Sequence, residues 1–370
     1  MKVSSRISAA LSIVILAGCA TVGGDRPPTL ASAKAPAWSA RAVNDEIIVA
    51  VSSVRQSVQI LSSSVALVGA GVDAVVNARL KRAVLDVLGD YDGGAVFEQK
   101  LDARLNAARP GLVRVASLQS TAGFNSERDA QAARRVALVR KGHDGLLDLE
   151  MTYGLFGYDG ILVAKLDGSL TGLPDNNVLW RNSIVVSSEP ILAGDKLSDP
   201  TKRLGPNLSS PRLTVEKDAI EKWTRDGGQT IRTRFESAAD GAISAMLCDL
   251  GLADEPVGHY YLGKLAMNRK KFKLADEHFQ KALAADPGYI DAINGRAVNM
   301  AHNKQLDDAI SLGKKLVESA PDYAPGWFNL AWFYAIGKKD PAAAKPYYQK
   351  ALELGMAPEK KLEKAIKAKG

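Results

Sequence analysis

The feature that most constrains the fold is a 34-residue spacing in the last third of the chain. Pro287 and Pro321 lie 34 residues apart, and so do Tyr289 and Tyr323. A repeat of this period predicts stacked helical units, each too small to bury its own apolar face alone. Proline cannot continue a helix, so each proline marks the end of a unit. The sequence therefore predicts a helical solenoid near the C-terminus.

The first unit resembles a tetratricopeptide repeat. Counted from Pro256, the key positions of that family hold Leu262, Gly263, Phe272, Ala275, Phe279, Ala282 and Pro287. Gly263 and Ala275 are the small residues at which the two helices of one unit touch. The resemblance implies an all-α array of helix pairs.

The two following units match the pattern less fully. The second, from Ile290, has Arg296 and Gly313 where a leucine and an aromatic residue are usual. The third, from Ala324, needs one extra residue near Lys339 before its second helix aligns. Three units meet the minimum for a stacked core, so both are retained in the prediction.

We expect the repeats over 254–357 and a basic capping helix over 358–370, since a terminal repeat needs a polar cover. From Pro256 onward the chain has 19 Lys and Arg against 12 Asp and Glu, a net charge of +7. Because the apolar run that ends at Cys19 near the N-terminus predicts export from the cytosol, we expect an acidic protein or lipid head groups to face these lysines, and no nucleic acid.

The family resemblance also implies where a partner would bind. Such arrays bind partners along the concave surface formed by the first helix of each unit. By position, that surface would present Tyr260, Lys264, Asn294, His302, Phe328 and Trp332. Exposed aromatic residues there would favour a peptide-binding groove. The alternative is that Phe328 and Trp332 pack on a neighbouring helix or on the N-terminal domain.

The N-terminal segment resembles the signal of a bacterial lipoprotein. Two basic residues precede an apolar run, Ile7 to Leu16, which is too short to span a bilayer as a permanent helix. The run ends in the lipobox-like sequence Leu16-Ala17-Gly18-Cys19. The resemblance implies cleavage before Cys19, acylation at that residue and, with Ala20 following, retention at the outer membrane. The alternative is an ordinary secretory signal with a chance cysteine.

Domain boundaries follow from composition. We expect a signal peptide over 1–18, a lipidated flexible tether over 19–42, where prolines and small residues show no apolar period, and a periplasmic α/β domain over 43–253. A proline-punctuated loop over 189–213 is long for a compact domain, which predicts mobility or function. Cys248 is the other cysteine of the chain, so an intramolecular disulfide is excluded once Cys19 is acylated.

The α/β domain is predicted from local periodicity. Leu147, Leu149, Met151 and Tyr153 alternate with polar residues as in a half-buried strand. Further strands and helices around it predict a mixed sheet with flanking helices, including a hairpin and a long final helix that stops at Gly251. This order of elements resembles periplasmic domains of lipoproteins of the curli-secretion and penicillin-binding-protein-activator type. That resemblance implies an adaptor.

Candidate catalytic patterns are weak. Gly69, Ala70, Gly71 and Ala74 begin a dinucleotide fingerprint, and Asp90 lies near the distance at which its acidic residue should follow, but residues 78–88 are predicted to form a helix and not the second strand that should carry the acid. Ser311 and Lys314 form S-x-x-K without the supporting KTG element. We expect no cofactor.

The remaining polar residues give no better candidate. Asp148 and Glu150, with His143 nearby, could bind a metal or act as an acid–base pair, although strand alternation alone explains them. The histidine spacings give no metal motif, so we expect no metal and no catalytic residue.

The sequence predicts a non-enzymatic, outer-membrane-anchored periplasmic lipoprotein that serves as a protein-interaction scaffold or adaptor in an envelope complex. The alternatives are a subunit or accessory of a secretion or export channel, a regulator of cell-wall synthesis, and a cell-wall enzyme. The partner and the oligomeric state stay open.

Overall fold

The computed structural model describes residues 30, 33–42, 47–49, 79–118, 126–156, 160–195, 197 and 217–367. These residues form a mixed α/β region followed by a helical array, which confirms the predicted fold class. The predicted signal peptide, Cys19 and the glycine motif at 69–74 lie outside the described residues, as does most of the predicted loop over 189–213.

The N-terminal region is built on a six-stranded mixed sheet. Its strands are β1 (Pro36–Ala42), β2 (Ile48–Val49), β3 (Val113–Arg114), β4 (Gly145–Phe156), β5 (Ile161–Gly172) and β6 (Val178–Ser187). The strand order is β3-β1-β4-β5-β6, and β2 pairs with β4 beyond β1. β1 runs parallel to β3 and β4, whereas β4, β5 and β6 are antiparallel, which confirms the predicted hairpin.

Helices cover both faces of this sheet. They are α1 (79–88), α2 (Gly93–Ala108), α3 (Glu127–Arg140), α4 (Lys217–Thr224) and α5 (Gln229–Asp249). One face packs on α1, α2, α4 and α5 around the buried residues Trp38, Phe97 and Phe235. The other face meets α3, where Leu138 packs on Ala37 and Leu146. Ser126 caps α3 by accepting a hydrogen bond from the Asp129 backbone nitrogen at 3.2 Å.

The position of β1 corrects the predicted boundary of the tether. Composition predicted a flexible tether over 19–42, but Pro36–Ala42 lies between β3 and β4 and pairs with β4 along its length. Trp38 is fully buried, and the small residues around it suit a strand that is covered on both faces. Such a strand has no apolar alternation, which explains why the pattern missed it.

The C-terminal array contains three helix pairs and a cap. The pairs are α6 (Pro256–Asn268) with α7 (Phe272–Ala285), α8 (Ile290–His302) with α9 (Leu306–Ser319), and α10 (Ala324–Trp332) with α11 (Pro341–Glu353). The cap is α12 (Lys360–Lys367), whose Leu362 is fully buried while its lysines face outward. The predicted basic capping helix is therefore present.

The second unit forms despite its unusual residues. The Arg296 Nε lies 2.9 Å from Asp276 Oδ1, so an ion pair occupies the place of the usual leucine. A Cβ at Gly313 would lie 3.0 Å from a methyl carbon of Leu330, so Leu330 fills the space that an aromatic residue would take.

The extra residue of the third unit is absorbed as a π-helical turn. α10 continues through Phe333–Lys338 with this wider helical geometry, and Lys339 then takes a left-handed conformation with φ of 57°. A π-turn accommodates one inserted residue without breaking the helix. The insertion predicted near Lys339 therefore falls within the preceding turn.

Helix α5 joins the two regions. A Cβ at Gly258 of α6 would lie 2.6 Å from the Ser244 carbonyl oxygen of α5, so the two helices touch backbone to backbone. Arg104 of α2 also donates hydrogen bonds of 2.6 Å to the Glu255 carboxylate at the start of α6. The array is therefore packed directly on the α/β region.

Candidate protein-interaction groove

The first helices of the three units, α6, α8 and α10, form one continuous surface, here called the A-helix face. Residues 189–195, which follow β6 and adopt neither helix nor strand, lie against this face and are called the docked segment. Their contacts reach all three helices, through Lys264 of α6, Asn294 of α8 and Asn329 of α10. The groove therefore already holds a piece of the chain.

Two buried asparagines bind the main chain of the docked segment. Asn294 and Asn329 both donate from Nδ2 to the Ile191 carbonyl oxygen, at 2.9 and 3.0 Å. Asn329 also accepts at Oδ1 from the Ala193 backbone nitrogen at 2.7 Å. All three bonds are buried, which makes each partner costly to remove. The groove thus recognises peptide groups, which every polypeptide has.

Lys264 anchors the start of the docked segment. Its ammonium donates to the Glu189 carbonyl oxygen and, at 3.1 Å, to the Ser187 hydroxyl. Burial lowers the pKa of Lys264 to about 8, although the negative charges of Glu189 and Asp195 oppose that shift. Lys264 is half-buried, so its charge lies close to the docked segment while it forms these hydrogen bonds.

Side chains of the docked segment fit closely into the A-helix face. Ile191 is buried, and a Cβ at Gly295 would lie 2.9 Å from its Cδ1 atom. Gly194 lies against Trp332, where an added Cβ would approach the indole ring to 2.8 Å. The segment ends in a turn in which the Asp195 nitrogen donates to the Leu192 carbonyl oxygen at 3.2 Å. The fit depends on glycine at both contact points.

Four of the predicted groove residues contact the docked segment or its surroundings. Lys264 and Asn294 bind it directly, Trp332 packs on Gly194, and Phe328 stacks on Trp332 with ring centroids 6.3 Å apart. However, Asn294 and Phe328 are buried, so the expectation of an exposed surface is wrong for them. The alternative in which these two rings pack on a neighbouring helix or on the N-terminal region fits Trp332, which contacts Gly194, and Phe328, which packs among residues of the third unit such as Tyr348.

The other two predicted residues lie on α6 and α8 and pack against aromatic rings of the array. Tyr260 is buried against the rings of Tyr261, Phe279 and Tyr289, so the expectation of an exposed side chain is wrong for it too, and burial raises its pKa. His302 stacks on Phe272, with ring centroids 5.9 Å apart. Its Nε2 has no hydrogen-bond partner among the residues described, and burial lowers its pKa. Neither residue is shown to bind the docked segment through a hydrogen bond.

Sequence reasoning missed Asn329 and the docked segment. By the 34-residue repeat, the position of Asn329 is equivalent to that of Gly295 in the preceding unit. Because Gly295 has no side chain, the repeat gave no reason to select Asn329 as a binding residue. The docked segment belongs to the predicted loop over 189–213, whose length alone suggested function.

The acidic pair on β4 is held by arginines. Asp148 Oδ1 accepts from Arg134 at 2.9 Å and from the Ser39 hydroxyl, and Glu150 accepts from Arg41 Nε at 2.8 Å. Through these ion pairs and hydrogen bonds, the two carboxylates hold β1 and α3 in contact with β4. These contacts give them a structural role.

Other candidate catalytic residues are also separated or occupied. The His143 Nδ1 atom lies 3.1 Å from the Ala35 carbonyl oxygen, away from the acidic pair's hydrogen bonds. The Lys314 ammonium lies over the Tyr334 ring at 5.7 Å. Within the described ranges no group of three His, Cys, Asp or Glu side chains could bind a metal, and no helix could cross a membrane.

Comparison with known proteins identifies the repeats. Family models for the tetratricopeptide repeat match residues 256–289 and 324–354, which correspond to the first and third helix pairs. The C-terminal region is therefore a tetratricopeptide repeat array, a class of protein-interaction scaffold.

Proteins similar to this chain include a plant protein and a solved structure. The chain is 32% identical over 92 residues to the Hsp70-Hsp90 organizing protein of Triticum aestivum; the match spans 25% of this chain and 16% of that protein. YrrB, described as a TPR protein with an unusual peptide-binding site, is 21% identical, with a TM-score of 0.29 over 41% of this chain and 79% of its own.

Proposed function

We propose that this protein is a non-enzymatic scaffold, anchored by lipid at Cys19 to the periplasmic face of the outer membrane, which binds a protein partner through its A-helix face. The observation that supports this proposal most directly is the pair Asn294 and Asn329, which binds backbone groups of the docked segment. A surface that binds one peptide segment has the chemistry to bind another.

The lipobox-like sequence Leu16-Ala17-Gly18-Cys19 supports the proposed location. A lipid anchor confines a scaffold to a surface, which raises its effective concentration near partners in the same membrane. The α/β region would then be an adaptor that holds the array at a fixed orientation, because α5 packs on both. The arginine partners of Asp148 and Glu150 favour this role over that of a cell-wall enzyme.

In-cell photo-crosslinking tests partner binding. A photoreactive residue in place of Trp332 should give one defined protein adduct, and the adduct should weaken when Asn294→Ala and Asn329→Ala are added. The control places the same residue at Lys281, which is exposed on α7 away from the A-helix face. Equal products from both positions, or none from Trp332, would contradict the proposed groove.

Palmitate labelling tests the anchor independently of the groove. Labelled palmitate should enter the wild-type chain and be absent from Cys19→Ser, which should leave the membrane fraction. A Cys248→Ser control should behave as wild type, since burial raises the pKa of that thiol to about 11 and lowers its reactivity. Unchanged fractionation of Cys19→Ser would overturn the proposed location.

A further inference from the structure

Resting on the proposed function, we propose that the docked segment is an internal stand-in for the partner, and that the partner presents a non-helical segment of the same chemistry. That segment would have an aliphatic residue at the place of Ile191, a small residue at that of Ala193 and a glycine at that of Gly194. The partner would bind by displacing residues 189–195 from the A-helix face.

Backbone recognition provides affinity that another chain can reproduce. The Ile191 carbonyl oxygen and the Ala193 N–H are the only atoms of those residues that the two asparagines bind in the described structure. A partner supplying one carbonyl and one N–H at the same spacing forms the same bonds. Neutral hydrogen bonds of this kind contribute modestly each, so exchange of one segment for another is feasible.

Two glycines set the side-chain preference. Gly295 leaves room on α8 for an aliphatic side chain, because any Cβ there would meet Ile191 at 2.9 Å. Trp332 closes over the place of Gly194 and leaves no space for a side chain, since an added Cβ would lie 2.8 Å from the ring. The groove therefore selects an aliphatic residue followed, three positions later, by glycine.

Because the docked segment is covalently part of the chain, it competes strongly with a separate partner for the A-helix face. A short connection gives a tethered segment an effective concentration in the millimolar range, so free ligands of equal intrinsic affinity bind weakly. A partner overcomes this by contacts beyond residues 189–195 or by confinement to the same membrane. The internal segment thereby sets a threshold for binding.

The test measures fluorescence anisotropy of a labelled peptide with the sequence of residues 188–195, Ser-Glu-Pro-Ile-Leu-Ala-Gly-Asp, added to the full chain. In the protein, Gly194→Val drives the internal segment against Trp332 and should release it. The peptide should bind this variant at least tenfold more tightly than wild type. Ile191→Ala, a milder change that empties the pocket beside Gly295, should give a smaller increase in the same direction.

Controls address the groove and the peptide separately. Asn294→Ala with Asn329→Ala on the Gly194→Val background should weaken binding at least tenfold, and a peptide with valine at the glycine position should not bind. Circular dichroism verifies folding of each variant. If Gly194→Val and Ile191→Ala are folded and neither binds the peptide more tightly than wild type, the docked segment is a permanent strut and the inference is wrong.

The outcomes also separate this inference from the proposed function. A Trp332 adduct in cells without peptide binding in vitro would retain the scaffold and reject the stand-in. If no Trp332 adduct forms in cells but the peptide binds the released variants in vitro, the proposed partner is rejected and the displaceable segment is retained. Loss of both would remove the groove as a binding site.

Discussion

Asn329 donates a hydrogen bond from Nδ2 to the Oδ1 atom of Asn294 over 2.8 Å, which links α8 to α10. The same bond orients both amides toward the Ile191 carbonyl oxygen. The second and third repeats therefore bind the docked segment as one unit, in which the Ile191 carbonyl and the Ala193 N–H supply hydrogen-bond partners to the two amides.

The first prediction concerns this asparagine pair. Asn329→Ala removes the partners of the Ala193 N–H and of Asn294, and should lower the free energy of unfolding by about 2 kcal/mol, as expected for buried hydrogen bonds. Urea denaturation measures the change. The control, Asn303→Ala, removes an exposed bond to Gln305 and should change stability by less than about 0.5 kcal/mol. Equal losses in the two variants would contradict the assigned role.

The second prediction concerns the backbone contact between α5 and α6. Gly258→Ala places a Cβ 2.6 Å from the Ser244 carbonyl oxygen, and because backbone cannot rotate away, stability should fall by about 2–3 kcal/mol. Thermal denaturation by circular dichroism measures this loss. Gly288→Ala is the matched control, since the nearest atom to its added Cβ lies 3.5 Å away. A stable Gly258→Ala variant would show that the helices can separate freely.

The third prediction concerns pH dependence at His278. Burial lowers the pKa of His278 to about 4, and the neighbouring His259 and Lys281 lower it further. The Nδ1 atoms of His278 and His259 are 3.2 Å apart. The unfolded chain binds this proton near pH 6.5 and the folded chain does not, so stability is lost as pH falls from 6.5 toward 4. Between pH 7 and 5 the loss should reach about 2 kcal/mol.

His278→Gln should remove that part of the pH dependence. Urea denaturation of wild type and variant at pH 7 and 5 gives the comparison. The slope of stability against pH should be smaller in the variant, whatever its absolute stability. Identical slopes would show that His278 does not titrate differently in the two states.

The fourth prediction concerns the turns between paired helices. Lys270, Lys304 and Lys339 occupy equivalent turns and all have left-handed backbone, with φ of 60°, 66° and 57°. Glycine adopts this conformation without Cβ strain, so Lys304→Gly should stabilise the protein by about 0.5 kcal/mol. Lys281→Gly, within α7, should destabilise it by about 1 kcal/mol. A lower free energy of unfolding in Lys304→Gly than in wild type would contradict this prediction.

Local signals explain which parts of the fold could be predicted. The alternation along β4 depends on residues close in sequence, and the strand is present as expected. The repeat positions in the array likewise involve contacts between adjacent helices, as with Phe279 packed between Gly263 and Gly295. These features are encoded within short stretches of sequence.

Contacts between distant segments could not be predicted in the same way. Asn294 donates a hydrogen bond to Ile191 of the docked segment, and these two residues are 103 positions apart in the sequence. No periodicity reports such a pairing, and a groove inferred from repeat positions was therefore expected to be open. β1 was missed for a related reason, because its burial depends on strands far away in sequence.

The packing of α5 against both regions limits how this chain can be divided. Leu262 of α6 lies in the same apolar core as Trp38 and Phe235, so the first repeat contributes to the interior of the neighbouring region. A fragment cut at Pro256 would open that interior to water on both sides of the cut. The two halves are accordingly not interchangeable modules, and transplanting the array onto another protein would require grafting α5 with it.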